Sequence, residues 1–223
     1  MIYLKENFQW DYEIFIDRIS RIYINICQDM EDFSEFLENK NSTGTEIQVE
    51  EDYGESHFDK ELIESLTRLS ENLENQVFYN TLVISIYSYF EFSLVEFCRL
   101  IDIYTDSEPN FEDIKGMGLK QARKYLAQIF DLRLEKFENY QRITDMRKFR
   151  NLVVHNNANL FKDLNKPLTA QPDYLFFQHH DKFDVTSSRY IFINDLKQIK
   201  KFLDISNKFI GEILNRTKPL ITK

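Results

Sequence analysis

The residues best suited to chemistry are Arg150, Asn151 and His155, which stand near the end of a long helical pattern. At 3.6 residues per turn, Asn151 and His155 fall about 40° apart around a helix, whereas Arg150 and His155 fall about 140° apart. The amide and the imidazole therefore share one face, and the guanidinium flanks it. A guanidinium can grip two phosphate oxygens, and an imidazole exchanges a proton near neutral pH. The spacing predicts a site that binds an anion and transfers a proton.

The run Arg150-Asn151, three apolar residues and then His155 resembles the R-x4-H signature of the HEPN superfamily, including the polar residue that often follows the arginine. The resemblance implies an all-helical protein of long antiparallel helices. Many HEPN proteins are metal-independent ribonucleases of toxin–antitoxin and antiviral systems. Some HEPN toxins carry a tyrosine two residues after the histidine, which a nucleotidyltransferase antitoxin modifies. Asn157 stands at that position here, so control by this modification is not expected.

RNA is cut without a metal when its own 2′-hydroxyl attacks the adjacent phosphorus. The step needs a base for that hydroxyl, an acid for the leaving 5′-oxygen and a cation for the charge on the phosphorane. His155 suits the proton transfers, Arg150 suits the charge, and Asn151 can orient the phosphate or the imidazole. One chain supplies one motif histidine, so two copies related by a two-fold axis would supply both acid and base. The resemblance implies the same homodimeric site, with 2′,3′-cyclic phosphate and 5′-hydroxyl products and no metal or cofactor.

Further site residues are expected on either side of the motif. Arg147, which lies one turn before Arg150, and Lys148 are candidates for binding the phosphates of the substrate, as is Asn156. The resemblance also implies a long helix with a polar residue facing the site. Glu91 and Ser88 are the second-tier candidates for that place, and an ion pair between Glu91 and Arg150 is one arrangement that would put Glu91 there.

Charge is distributed unevenly along the chain, whose formal net charge is −9. Residues 1–114 contain 26 acidic and 7 basic side chains, whereas 115–223 contain 11 acidic and 21 basic ones. Within 115–150 there are ten basic and four acidic residues. This asymmetry predicts that the face carrying Arg150 meets a polyanion such as tRNA or mRNA. An ordinary solvated face, or an acidic half that docks on a basic half, would give the same count.

Composition favours a single all-α domain of long helices over 1–223, and the resemblance implies that these helices form an antiparallel bundle. Glycine and proline are few, with five and four residues, and 20 phenylalanines supply aromatic packing. The chain begins with Met1-Ile2-Tyr3-Leu4-Lys5-Glu6, which is no secretory leader, and its most apolar stretch, Tyr79–Phe90, is too short to cross a bilayer. We expect a cytoplasmic protein without a membrane partner.

Helices are predicted where apolar residues recur every three or four positions, and loops are predicted where the composition is polar. A mobile acidic loop is predicted over 39–58, with Asp59 as the cap of the next helix. A small β-hairpin is possible over 174–193, before the last helix, and His179 and His180 are interpreted as surface residues of its turn. The predicted helices are Trp10–Leu37, Asp59 through Ile103 without a break, Leu119–Phe130, Phe137–His155 and Asp195 to about Asn215.

Two functions from different classes fit this sequence. The first is an endoribonuclease effector of a toxin–antitoxin or antiphage system, held silent by an antitoxin or a sensor protein. The second is a non-catalytic HEPN-type helical module that binds a partner protein or a nucleotide ligand. Substitution of Arg150 or His155 separates them, because only the first function depends on both side chains.

Overall fold

The chain forms long helices joined by turns, and the expected all-α class is confirmed. This computed structural model describes residues 7–42, 57–105, 108–156, 184–185, 191–192 and 196–221, and side chains within 7–39, 75–105, 108–155 and 196–219. The elements in chain order are α1 (Phe8–Ser42), α2 (His57–Tyr104), a 3-10 turn (Phe111–Asp113), α3 (Leu119–Phe130), a second 3-10 turn (Leu134–Lys136), α4 (Tyr140–Asn156), β1 (Asp184–Val185), β2 (Ile191–Phe192) and α5 (Leu196–Ile221).

Helix α2 is the central element, and it contacts α1, α3, α4 and α5. Its second half is apolar on most sides, which is the pattern of a helix surrounded by others. Fully buried side chains occur along its length from Val83 to Ile101.

Helices α1 and α2 run antiparallel, held by a ladder of aromatic pairs. Each step along α1 toward its C-terminus is matched by an equal step along α2 toward its N-terminus, as two antiparallel helices require. The pairs, with the distances between ring centroids, are Phe8–Tyr104 at 5.5 Å, Phe15–Phe97 at 6.0 Å, Tyr23–Tyr89 at 6.3 Å and Phe33–Tyr79 at 5.7 Å.

Helix α5 closes the core against α2 and the segment that leads into α4. The ring of Phe209 in α5 lies edge-on to Phe90 at 5.8 Å and tilted to Phe137 at 5.3 Å. The helix continues beyond Asn215, where the sequence predicted its end. Thr217 explains the extension, because it is fully buried and its hydroxyl donates to the carbonyl oxygen of Ile213 at 2.8 Å.

The predicted acidic loop over 39–58 is shorter than expected, since α1 extends to Ser42 and α2 begins at His57. Asp59 is therefore inside α2, and its prediction as the N-cap is wrong. The remainder of that loop, 43–56, lies outside the described residues.

Two short strands precede α5. Strand β1 pairs antiparallel with β2, with Asp184 opposite Phe192 and Val185 opposite Ile191. The hairpin predicted over 174–193, with His179 and His180 in its turn, lies mostly outside the described residues. It remains a prediction.

Within the described residues, the segment Asn75–Tyr104 of α2 is long and apolar enough to span a membrane by length and composition alone. It includes the stretch Tyr79–Phe90, so the length argument made from the sequence does not hold for the whole helix. The packing provides a different argument, because 56% of its apolar window is buried inside the fold. Burial by neighbouring helices is what the core helix of a soluble protein shows.

Candidate functional site

Helix α4 is fixed to the core by one face and presents the motif on the other. The residues on its inner face are fully or almost fully buried: Ile143, Met146, Phe149, Leu152 and Val153. They recur every three or four positions, so a single stripe of the helix packs against α2 and α5. This anchoring determines which side chains of α4 face outward.

Asn151 and His155 are both exposed, one helical turn apart on the outer face of α4. His155 makes no hydrogen bond or ion pair with any side chain in the described ranges, and Asn151 makes one, to Arg150. The shared face predicted from their spacing is therefore present. Both groups can be reached by a ligand or by a second protein chain.

Arg150 lies at the edge of this face, half-buried. Its Nη1 donates to Oδ1 of Asn151 at 3.0 Å. Its Nε is buried and has no hydrogen-bond partner in the part of the chain that the structure describes. A guanidinium has five N–H donors, and Asn151 accepts from one of them. The unused donors give Arg150 the capacity to bind an anion.

Tyr87 of α2, which the sequence analysis did not single out, lies beside Arg150. The guanidinium carbon of Arg150 is 5.8 Å from the centre of the Tyr87 ring, within the range of a cation–π contact. The ring is 1% exposed. Burial raises the pKa of the Tyr87 hydroxyl, and the negative charge of Glu91 raises it further, against the opposing charges of Arg147 and Arg150. From the sequence, Tyr87 cannot be distinguished from the other aromatic residues of α2, because that helix is apolar on most sides.

Glu91 interacts with the start of α3 and not with Arg150. Its Oε1 accepts the backbone N–H of Leu119 at 3.3 Å and the hydroxyl of Tyr87 at 3.5 Å. No ion pair joins Glu91 to Arg150, both of which lie within the described side chains. The ion pair considered from the sequence is therefore wrong. The carboxylate has the N-terminus of a helix as its electropositive partner.

The remaining candidates take different positions. Ser88 is exposed on α2, and no described contact joins it to the motif. Arg147 and Lys148 are half-buried on α4, and the charge of Arg147 acts on Tyr87. Asn156 is the last residue of α4, and its side chain lies outside the described ones.

Two features of the described residues away from the motif concern other kinds of site, a pocket and the distribution of metal-binding side chains. A pocket of about 180 Å³ lies between α1, α2 and α5, lined by Ile19, Ser20, Tyr23, Ile24, Tyr89 and Asn207. It includes no residue of the motif. Within the same ranges, no group of three or more His, Cys, Asp or Glu side chains has the proximity needed to hold a metal ion.

Comparison with known proteins assigns no family to the chain. No protein-family model, no curated protein and no solved structure matches it. The function is therefore inferred from α4 and the residues around it.

Proposed function

We propose that the protein is a metal-independent endoribonuclease of a toxin–antitoxin or antiphage system, acting in the cytoplasm on tRNA or mRNA. The observation that supports this most is the state of Arg150. A half-buried guanidinium with unused donors is hydrogen-bonded to Asn151, and Asn151 is exposed on the same face of α4 as His155. An RNA phosphate can satisfy the arginine while its 2′-hydroxyl comes within reach of the histidine.

In the proposed reaction His155 removes the proton from the 2′-hydroxyl, and the 2′-oxygen forms a bond to phosphorus. The bond from phosphorus to the 5′-oxygen breaks, and an acid gives that oxygen a proton. The products are a 2′,3′-cyclic phosphate and a 5′-hydroxyl. Arg150 stabilises the negative charge on the phosphorane, and Asn151 holds the guanidinium in place through its hydrogen bond.

The acid is His155 of a second copy. A two-fold axis near the C-terminal end of α4 would bring two Arg150–His155 pairs into one cleft. The exposure of Asn151 and His155 on the outer face supports this, because the described part of the chain does not cover that face. Val154, between them in the last turn, is 46% exposed and provides apolar surface for the contact.

Local charge supports an RNA partner. Residues 115–150 contain ten basic and four acidic side chains, although the chain as a whole is acidic. Arg147 and Lys148 are on the turn that precedes Arg150, where they can contact phosphates on either side of the one that is cut. The acidic first half is a candidate surface for an antitoxin or sensor protein.

The test is cleavage of total RNA and of tRNA by purified protein in EDTA, with analysis of the product ends. Wild type should cut and leave cyclic phosphate, and His155→Ala should lose about 100-fold or more of the rate. Arg150→Ala should lose a similar factor.

The matched control is Arg142→Ala. Arg142 is exposed in the first turn of the same helix and about 180° around it from Asn151, so this variant removes the same charge at a distance from the motif and should cut normally. Cleavage that survives in both motif variants contradicts the proposal. An inactive wild-type dimer favours the non-catalytic binding module.

A further inference from the structure

Two contacts of the Arg150 guanidinium are found among the described residues, a hydrogen bond to Asn151 and a cation–π contact with Tyr87. On the solvent side the guanidinium has a single hydrogen bond, to the exposed side chain of Asn151. On the inner side its Nε is buried and has no partner within the described ranges, so no hydrogen bond fixes that end. On the same side the ring of Tyr87 lies 5.8 Å from the guanidinium carbon, within the range of a cation–π contact.

The Tyr87 ring is itself held firmly. It is 1% exposed and packs against Phe90 with centroids 6.0 Å apart. Its hydroxyl donates to Glu91, and the same carboxylate oxygen accepts the N–H of Leu119 at the start of α3. A ring fixed between α2 and α3 provides a rigid face for a flexible arginine of α4. The face of an aromatic ring attracts a cation and also limits the directions that a planar guanidinium can take.

We propose that Tyr87 is a positioning residue that orients Arg150 toward the phosphate of the substrate. The proposal rests on the proposed function in one respect, since it takes an anion as the ligand of Arg150. It assigns separate roles to the two groups of the tyrosine. The ring orients Arg150, and the hydroxyl, through Glu91, links the ring to α3.

The orientation is tested first without any substrate, by the NMR signal of the Arg150 Nε–H group, assigned by its disappearance in Arg150→Lys. Burial should slow the exchange of this proton with water, and the ring should shift its resonance. The Nε–H of Arg142, which is exposed, is the internal reference. If the Arg150 proton exchanges as fast as that of Arg142 and shows no shift, the proposal is overturned, even if no Tyr87 variant can be purified.

The variants then separate ring from hydroxyl. Tyr87→Phe keeps the ring and should keep the shift, and Tyr87→Leu should lose it. In RNA cleavage, Tyr87→Leu should lower kcat about tenfold with KM little changed, since the loss concerns charge stabilisation in the transition state, and Tyr87→Phe should restore the rate.

Tyr125→Leu is the matched control for damage to the core. Tyr125 is also fully buried, and its hydroxyl also donates to a carboxylate, that of Asp102, at 3.4 Å. Its contacts are with Phe111 and Asp102, away from Arg150. If Tyr125→Leu lowers kcat as much as Tyr87→Leu does at equal folded fraction, the effect is a general one of damage to the core and the proposal fails.

A double-mutant cycle tests whether Tyr87 acts through Arg150. In an Arg150→Ala background, Tyr87→Leu should cause no further loss of kcat, because the side chain that it orients is absent. A further tenfold loss contradicts the proposal. Absence of cleavage by the wild type refutes the proposed function instead, and the NMR result then decides the role of Tyr87 by itself.

Discussion

Gly118 and Glu91 meet at the start of α3, where the carboxylate of the glutamate occupies the space that a side chain on the glycine would need. Gly118 has a φ of +53°, which other residues rarely adopt. The absence of a side chain lets Oε1 of Glu91 reach the N–H of Leu119 at 3.3 Å. Here a backbone conformation, the contact between α2 and α3 and the start of α3 depend on one glycine.

Gly118→Ala should therefore destabilise the protein. The alanine would have to keep a positive φ and displace the Glu91 carboxylate from Leu119, and we expect a loss of about 1 to 3 kcal/mol in the free energy of unfolding. Urea denaturation measures it. Gly211→Ala in α5 is the control, since a Cβ there meets no atom within 4 Å. It should be neutral or stabilise by up to about 1 kcal/mol, and equal effects at the two positions would contradict this account of Gly118.

Stability should fall in strong alkali because of tyrosines such as Tyr89. Burial, followed by the charges of Tyr23 and Cys27, raises the pKa of Tyr89 from 10.0 to about 12. Between those values the unfolded chain releases the proton and the folded chain keeps it, so the free energy of unfolding declines as pH rises through this window.

Tyr89→Phe isolates the contribution of this residue. At about pH 8 it should cost about 1 kcal/mol through loss of the hydrogen bond from the hydroxyl to Oδ1 of Asn207. As the pH rises from 10 toward 12 the difference from wild type should shrink, because the variant has no proton to lose at this position. Urea denaturation at a series of pH values measures both curves, and parallel curves would refute the linkage.

The salt dependence of RNA binding should identify which arginines contact phosphate. In a His155→Ala background, which prevents cleavage, Arg150→Ala should reduce the slope of log affinity against log salt by about 0.7 for single-stranded RNA. Arg147→Ala should do the same, and Arg142→Ala should leave the slope unchanged. An equal reduction of the slope in Arg142→Ala would show that the slope depends on the total charge of the protein and not on Arg147 and Arg150 in particular.

The junction of α2, α5 and the segment before α4 should depend on Phe209. Phe209→Ala would leave a cavity between Phe90 and Phe137 and should cost about 3 to 5 kcal/mol in the free energy of unfolding. Phe36→Ala, at a side chain 53% exposed on α1, should cost about 1 kcal/mol or less. Denaturation midpoints with their slopes compare the two, and similar losses would contradict the assignment of Phe209 to the core.

The helices could be predicted from the sequence because their signals are local. The range predicted for α3, Leu119–Phe130, is the one found, since Gly116 and Gly118 precede a strongly amphipathic segment. The absence of glycine and proline through α2 predicted its unbroken course. The exposure of Asn151 and His155 on one face also follows from spacing on a helix whose other face is apolar.

The partners of Arg150 and Glu91 could not be predicted in the same way. Glu91 and Leu119 are 28 positions apart, and their contact depends on a glycine that makes room in space. Tyr87 is one of many aromatic residues on α2, and its nearness to Arg150 arises from how α4 packs on that helix. The periodicity of a sequence predicts which face of a helix is buried. The residues of other helices that contact this face depend on the packing of the whole fold.

The aromatic ladder between α1 and α2 restricts how the length of this protein can change during evolution. Successive aromatic pairs, from Phe8–Tyr104 to Phe33–Tyr79, are separated by the same number of residues on both helices. Deleting one residue within either helix would rotate every later aromatic side chain of that helix by about 100° around the helix axis and move it by about 1.5 Å along the axis. These side chains would then no longer face their partners on the other helix. Homologous chains should therefore gain and lose residues between the two helices and not within the ladder.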